Sequence, residues 1–391
     1  NQQDDNTKVH VIEIQKWDGN KMVARRKTLA LIGGGTGLSA GAVATGFVTT
    51  RKPHTALAPW EKAGGYADLR KWVLSYAILA PSAHNRQPWL IALAGDDTVI
   101  LWRDRSRDLP QTDPFHRQLV ISLGCFLEQM KIAAAEKHIG VRFTLYPAGE
   151  DGPVAVAVFE QGAATPDPLF AAILDRRTCH EPFTDQPLAS ATAEKLQNYA
   201  TLVLDPQRVA ALKKIALQAW RTEAFHPPSW NESVDLMRFG KGEINANPDG
   251  IDLGGPFLET LILSGILTRA GQTDPASSGF KQTIAVYDNI LSATPAFAVV
   301  ITPGNSRLDQ IAAGRRWLRL HLAATPLGVS VHSVSQAPQE YPEMAKHYDA
   351  VHDMLAQGAS QGGETVQMLG RLGYGPAVSR SPRWPLASRF I

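Results

Sequence analysis

The sequence predicts an α+β protein built from two related halves, with mixed sheets flanked by helices. Three observations carry this reading. Strand-length apolar runs come in hairpin-like pairs, as in "WLIALAGDDTVILWR", rather than alternating regularly with helices. Two long helical segments each hold an interior glycine, Gly124 and Gly314, and each leads to a Gly-Val pair (Gly140-Val141 and Gly328-Val329) and a strand. With the first 58 residues set aside, roughly 330 remain, too many for one small domain. Two unrelated helix–glycine–strand units would explain the echo equally well. A duplication says more, because it predicts a site between the halves.

The N-terminal half is expected over residues 59–165. Residues 67–80 read as a helix stopped by Pro81, which disfavours helical geometry just before it. Residues 89–94 and 98–103 form a hairpin across "GDD". Residues 112–140 read as a long helix, with Asp113 as N-cap, Pro114 at the first helical position and Gly140 as the stop. Strands follow at 141–146 and 153–159. The C-terminal half, 166–391, opens on a short helix at 168–176, with further helices at 191–200, 207–221 and 257–269. The Pro- and Asn-rich stretch 226–255 is too long for a plain connection and is expected to form a lid over a site. A buried strand at 295–302, a helix ending near Gly328, two more strands and a basic, Pro-rich tail complete the chain.

Residues 1–58 are expected to be a leader. Met22 is a candidate start, and Arg25-Arg26 precede an apolar run, 29–48, long enough at about 20 residues to span a bilayer. Six glycines in that run weaken it as a helix. Paired arginines before a Gly-rich, weakly apolar segment look like a twin-arginine export signal, which would make the protein periplasmic. An uncleaved membrane anchor is the other reading. "AVA" at 42–44 and "ALA" at 56–58 are candidate cleavage sites, the second compromised by Pro59.

Composition narrows the function. With 39 basic and 37 acidic side chains, there is no basic excess for nucleic acid. Two cysteines, Cys125 and Cys179, provide neither a disulfide framework nor a cysteine-rich metal site. No Rossmann glycine fingerprint, P-loop, H-E-x-x-H or G-x-S-x-G is present. His321 and His332 read as packed or surface residues rather than metal ligands.

Three segments carry more polar chemistry than a connection needs. "SAHNRQPW" places Ser82, Asn85 and Gln87 within six residues, enough to hydrogen-bond the edge of a polar heterocycle. "DRRTCHEPF" offers Arg176, Arg177 and the Thr178 hydroxyl as a phosphate clamp. "RLGYGPAVSRSPRWPL" adds Arg380 and Arg383. Taken singly, each has a bland reading: a self-satisfied turn, a solvated helix end and a solvated tail.

Together they resemble the FMN-dependent nitroreductase family. "APSAHNRQPW" is similar to its P-S-S-x-N-x-Q-P-W loop, "RRTCHEPF" to its R-R-S-x-R-x-F phosphate motif, and the tail to its L-G-Y-P…R-R-x-P-L ending. The Acg-like branch, a nitroreductase fold duplicated within one chain, resembles this sequence most, from about Trp60 onward. Ordinary members carry the phosphate motif first and pair two subunits around FMN. Here the loop comes first and the arginines second, one of each. The resemblance therefore implies one composite FMN site in a monomeric pseudo-dimer. It places Arg176, Arg177 and Thr178 at the phosphate, helped by Arg380 or Arg383. Ser82, His84, Asn85 and Gln87 would line the ribityl chain and ring, with Ser335 and Gln336 near the pyrimidine side. His180 stands where the motif usually has an arginine, and its protonation would raise phosphate affinity at lower pH.

The implied function is two-electron reduction of a small-molecule acceptor, a quinone or nitro compound, with no catalytic side chain and no metal required. The reductant stays open among a quinol, a protein partner and NAD(P)H. A flavin-binding protein without turnover, its site shut by residues 226–255, is the alternative. So is an accessory subunit of a membrane redox complex.

Overall fold

A long, almost wholly buried helix, α3 (Arg117–Ala135), and its counterpart later in the chain, α11 (Arg307–Ala324), form the most extensive helix contact among the described residues. The computed structural model describes residues 50–356 and 363–391, and residues 51–391 form one compact unit. Met22, Arg25-Arg26, the apolar run 29–48 and the "AVA" site at 42–44 lie outside the described residues.

The first half contains α1 (His54–Lys62), α2 (Leu69–Ala77), β1 (Trp89–Ala94), β2 (Thr98–Arg103), α3 (Arg117–Ala135), β3 (Ile139–Leu145) and β4 (Ala155–Gln161). Asp68 caps α2 by accepting from the Arg70 and Lys71 amides. The α3 helix begins three residues beyond Pro114. Asp113 still works as a cap from outside it, accepting from the amides of Gln118 and Leu119. The leader boundary expected at 58 falls inside α1. There Ala56 donates to Asn245 and accepts from the Arg383 amide, so residues 54–58 are tied into the fold.

The second half runs through α4 (Ser190–Gln197), β5 (Thr201–Val203), α5 (Pro206–Phe225), α6 (Pro227–Asp235), β6 (Met237–Phe239), α7 (Gly240–Ala246) and β7 (Ile251–Leu253). It continues with α8 (Pro256–Leu263), α9 (Arg269–Thr273), α10 (Ser278–Ser292), β8 (Ala296–Thr302), α11 (Arg307–Ala324), β9 (Ser330–Ser333), α12 (Ala345–Leu355) and β10 (Thr365–Gly373). The stretch expected as a lid folds into α6, β6, α7 and β7, with β6 and β7 in a two-stranded parallel sheet. Trp230, Val234 and Met237 from this stretch share a core with Trp220 of α5 and Phe280 of α10.

Two four-stranded sheets repeat one topology. One sheet has the strand order β1-β2-β4-β3 and the other β5-β8-β10-β9, antiparallel throughout. In each, a long helix joins the second strand to the edge strand, α3 in one case and α11 in the other. The two glycines of the sequence echo meet at the helix crossing. A Cβ on Gly124 would lie 3.0 Å from the Ile311 carbonyl carbon and closer still to its oxygen. A Cβ on Gly314 would lie 2.9 Å from the Ile121 carbonyl carbon, again with the oxygen nearer. Only glycine allows the backbones this close. Buried Glu128 on α3 ties the helices together by accepting from Arg315 and Arg319 on α11, both at 2.5 Å.

Candidate functional site

The chain leaves α2 at Ile78, passes Pro81 and makes a single 3-10 turn, Ala83–Asn85, before entering β1. His84, Asn85 and Gln87 take positive φ angles of 46°, 51° and 52°. Asn tolerates this region, but His and Gln are held there against a cost of about 1–3 kcal/mol each. The surroundings over-determine the turn. Ser82 Oγ accepts from the Gln87 amide at 2.9 Å, and Ser122 Oγ accepts from the Ala83 amide at 3.0 Å. The C-terminal tail supplies the rest. Asn85 Nδ2 donates to Pro382 O (3.1 Å), Arg383 donates to Asn85 Oδ1 (2.7 Å), and the Trp384 amide donates to Gln87 Oε1 (2.9 Å).

The Gln87 side chain is fully enclosed, and Nε2 donates to Asn85 O and to Pro248 O. Both polar atoms of that amide are bonded to protein, so the side chain positions the loop. His84 is half-buried, with Nδ1 unpartnered.

Against this loop lie the arginines. Arg176 and Arg383, both buried, donate to the Leu79 carbonyl at 3.2 and 3.1 Å, and Arg383 also donates to Ala80 O. The guanidinium carbons of Arg177, Arg380 and Arg383 stand 5.3, 5.6 and 5.4 Å from the centroid of the Trp60 ring. Trp60 is fixed by its Nε1 donating to Ser381 O at 2.8 Å. Among the described residues, none of these four arginines pairs with a carboxylate. Arg176 Nε and Nη1 and Arg383 Nε are buried without a partner. Burial, then the neighbouring guanidiniums, lowers Arg383 well below the usual range, and burial chiefly brings Arg176 down to about 10. Positive charge assembled without counter-charge, with buried donors unused, is a site built for an anion.

The segment after Arg177 runs beside β9, where the Cys179 amide donates to Val331 O at 3.1 Å. Thr178 is half-buried there. His180 meets the His332 ring edge-on at 4.2 Å, and His332 Nδ1 lies 2.8 Å from Arg371. His180 is accessible over much of its surface, yet enough protein surrounds it for desolvation, aided by Arg371, to push it to about 4. Ser335 and Gln336 follow β9, half-buried, and Gln336 Nε2 reaches Glu223 at 3.5 Å.

Glu223 was not anticipated. It is buried on α5, accepts from Gln339 Nε2 at 2.7 Å, and is raised by burial to about 7. Its signal was legible: Ala216, Ala219, Trp220, Glu223 and Ala224 fall on one buried helical stripe. Tyr287, stacked on Trp220, brings its hydroxyl 3.5 Å from His332 Nε2. Among the described residues there is no cluster suited to a metal.

These buried groups set a pH dependence. Burial lowers His84 to about 4, holds His321 and His332 well below their ordinary 6.5, and lowers His116, His347 and His352 as well. The unfolded chain then binds the extra protons, so these groups withdraw stability as pH falls below 6.5. Glu223 and Asp113, raised by burial to about 7 and about 6, and Asp252, also raised by burial, act in the opposite sense. The histidines outnumber the acids, and the thermal midpoint is expected to fall from pH 6.5 towards pH 4. A midpoint that rises over that range would show the histidines to be hydrated.

No family model matches the chain. It is similar to "Uncharacterized protein Rv3127" of Mycobacterium tuberculosis H37Rv, 35% identical over 119 residues, 29% of this chain and 34% of that protein. "Putative NAD(P)H nitroreductase acg" of the same strain is 34% identical over 125 residues, 31% of this chain and 37% of that one. The chain thus spans about a third of the length of these two relatives. "Putative NAD(P)H nitroreductase Rv3131" is 25% identical over 336 residues, 83% of this chain and 90% of that protein. Among solved structures, a "putative nitroreductase" from Anabaena variabilis matches with a TM-score of 0.40 at 10% identity, over 82% of this chain and 91% of that one. "Nitroreductase with Bound FMN" from Bacteroides fragilis matches with a TM-score of 0.30 at 11% identity, over 56% and 95%. Both structural matches are too distant to carry an argument. By sequence, the chain is similar to these two named nitroreductases of Mycobacterium tuberculosis, along most of its length to one and over about a third of it to the other.

Proposed function

We propose that residues 51–391 bind one FMN and act as a nitroreductase-type oxidoreductase on a quinone, nitro compound or similar small acceptor. The observation that carries this is the uncompensated four-arginine cluster, with orphaned buried donors on Arg176 and Arg383, set against the strained loop at 82–87. Such a cluster fits a phosphate ester, whose oxygens would satisfy the orphans. The nitroreductase names of two relatives agree with the reading.

FMN supplies two-electron transfer when bound. The chain's own residues do the remaining work. Arg176, Arg177, Arg380 and Arg383 neutralise the phosphate, and the Trp60 face holds three of them in place. Asn85 and Gln87 fix the loop so that backbone groups of 82–87 meet the ligand in one geometry. Glu223, poised near neutrality, holds a proton beside Gln336.

A second reading, flavin binding without turnover, is favoured by one contact. Pro248 accepts from Gln87, so the 226–255 stretch is bonded into the site loop as a fixed cover. The absorption spectrum of the purified protein tests the first claim, with one FMN per chain expected. Two per chain, or a colourless protein indifferent to added FMN, would sink it. Reduction by NADPH or a quinol, followed by a nitroaromatic acceptor, separates turnover from storage.

A monomer is part of the same proposal. The α3–α11 crossing joins two halves of one chain, so the contact that ordinary two-subunit relatives need is internal here. Sedimentation at micromolar concentration should give a mass near 42.5 kDa for the full chain. A tight dimer that loses flavin on dilution would mean a site shared between chains.

A further inference from the structure

Tyr287 of α10 has a proton to give. Its hydroxyl lies 3.5 Å from His332 Nε2 and makes no other hydrogen bond among the described residues. Arg371 decides which of the two donates. Its guanidinium is a donor only and stands 2.8 Å from His332 Nδ1, so that nitrogen must accept. Burial, then His180 and Arg371, holds His332 well below its ordinary 6.5, so the ring is neutral and carries its one proton on Nε2. His332 therefore donates to Tyr287 Oη, and the tyrosine's own proton is left uncommitted. Burial, then the Glu223 charge, raises Tyr287 to about 12, which keeps that proton in place at neutral pH.

We propose, resting on the nitroreductase-type reading of this site, that Tyr287 donates its hydrogen bond to an oxygen of the electron acceptor, a quinone carbonyl or a nitro oxygen. His332 and Arg371 are the positioning residues behind it. The neighbours place the hydroxyl for this task. His332 packs edge-on against His180, in the segment that carries the arginine motif, and Ser335 and Gln336 follow its own strand. The Tyr287 ring stacks on Trp220, with centroids 4.1 Å apart at 23°, which fixes the direction of the hydroxyl. Arg371 is pinned in turn, donating to Thr294 Oγ1 (2.8 Å), Ala293 O (3.0 Å) and Glu181 O (3.3 Å). Tyr287 is half-buried, so part of its surface stays open to a small molecule. A donor oriented before its ligand arrives needs no reorganisation, and a site that spends it on an oxygen discriminates against acceptors lacking one.

The test mixes the flavin-loaded full chain with duroquinone, isotope-labelled at its carbonyls, and records the infrared carbonyl band. The band should move to lower frequency in the native protein and return to the position of free duroquinone in Tyr287→Phe, with the duroquinone Kd raised about two- to tenfold. A band at the free position in the native protein, or the same shift in both proteins, overturns the proposal. The His332 tautomer needs neither variant nor flavin. Nitrogen NMR of isotope-labelled histidine at neutral pH should place its proton on Nε2, and a proton on Nδ1 overturns the proposal as well. Reoxidation of the dithionite-reduced protein by a nitroaromatic, followed on the same sample, tests the oxidoreductase reading separately. Turnover without a shifted band sinks only the Tyr287 assignment, whereas a shifted band without turnover supports it and sinks the reaction.

Discussion

Gly314→Ala is expected to cost about 3 kcal/mol or more of stability, a drop of roughly 4 °C or more in thermal midpoint for a unit of this size. The added methyl would overlap the Ile121 carbonyl, with the Cys125 amide nitrogen 3.0 Å away, and both are helix backbone that cannot step aside. Relief requires the two central helices to separate. That would loosen the Glu128 bridges to Arg315 and Arg319 and the core packed around them. Gly242→Ala is the matched control. Nothing lies within 4 Å of its added methyl, and alanine in a helix should be neutral or mildly stabilising. If the two variants melt together, α3 and α11 do not cross at these glycines.

Arg176→Met is expected to move two quantities in opposite directions. Its guanidinium is buried without a carboxylate, two of its nitrogens are unpartnered, and Arg383 already serves the carbonyl it donates to. Replacing such a charge with an apolar chain should stabilise the ligand-free protein by about 1–3 kcal/mol. If the cluster binds the FMN phosphate, the same change should weaken FMN by about ten- to hundredfold. Melting of the flavin-free protein and fluorescence titration with FMN read the two effects separately. A variant that loses stability would mean that Arg176 is a structural strut. Unchanged FMN affinity would detach the cluster from the phosphate.

The glycine echo was readable because close helix approach forces glycine wherever backbones touch, so Gly124 and Gly314 had to appear at matching places. The loop and arginine motifs were readable because they concentrate polar side chains where a connection needs few. Gln87 was read as lining a ligand; that Pro248 and Trp384 also bond its amide could not be seen in the sequence, because both arrive from distant segments. The secondary structure of the stretch read as a lid was hidden by its composition. Pro227 and Pro228 sit at the first turn of α6, where proline is tolerated, and Trp230 and Val234 face a local core. Helices α10 and α12 went unread although Phe280, Ile284, Tyr287 and Leu291 repeat every three to four residues. Glu223, Tyr287 and His332 come from three distant elements, and only tertiary packing makes neighbours of them.

The segment that bonds Asn85 and Gln87 lies some 300 residues after them in the chain, and its Ser381 carbonyl receives Trp60 from α1. Translation therefore delivers these partners far apart in time. While residues 381–384 are still in the ribosomal exit tunnel, Trp60, the loop and Arg176 have emerged without the groups that hold them. The loop is locked only after β10 has emerged, so any ligand that needs its fixed geometry is acquired late in synthesis or after it.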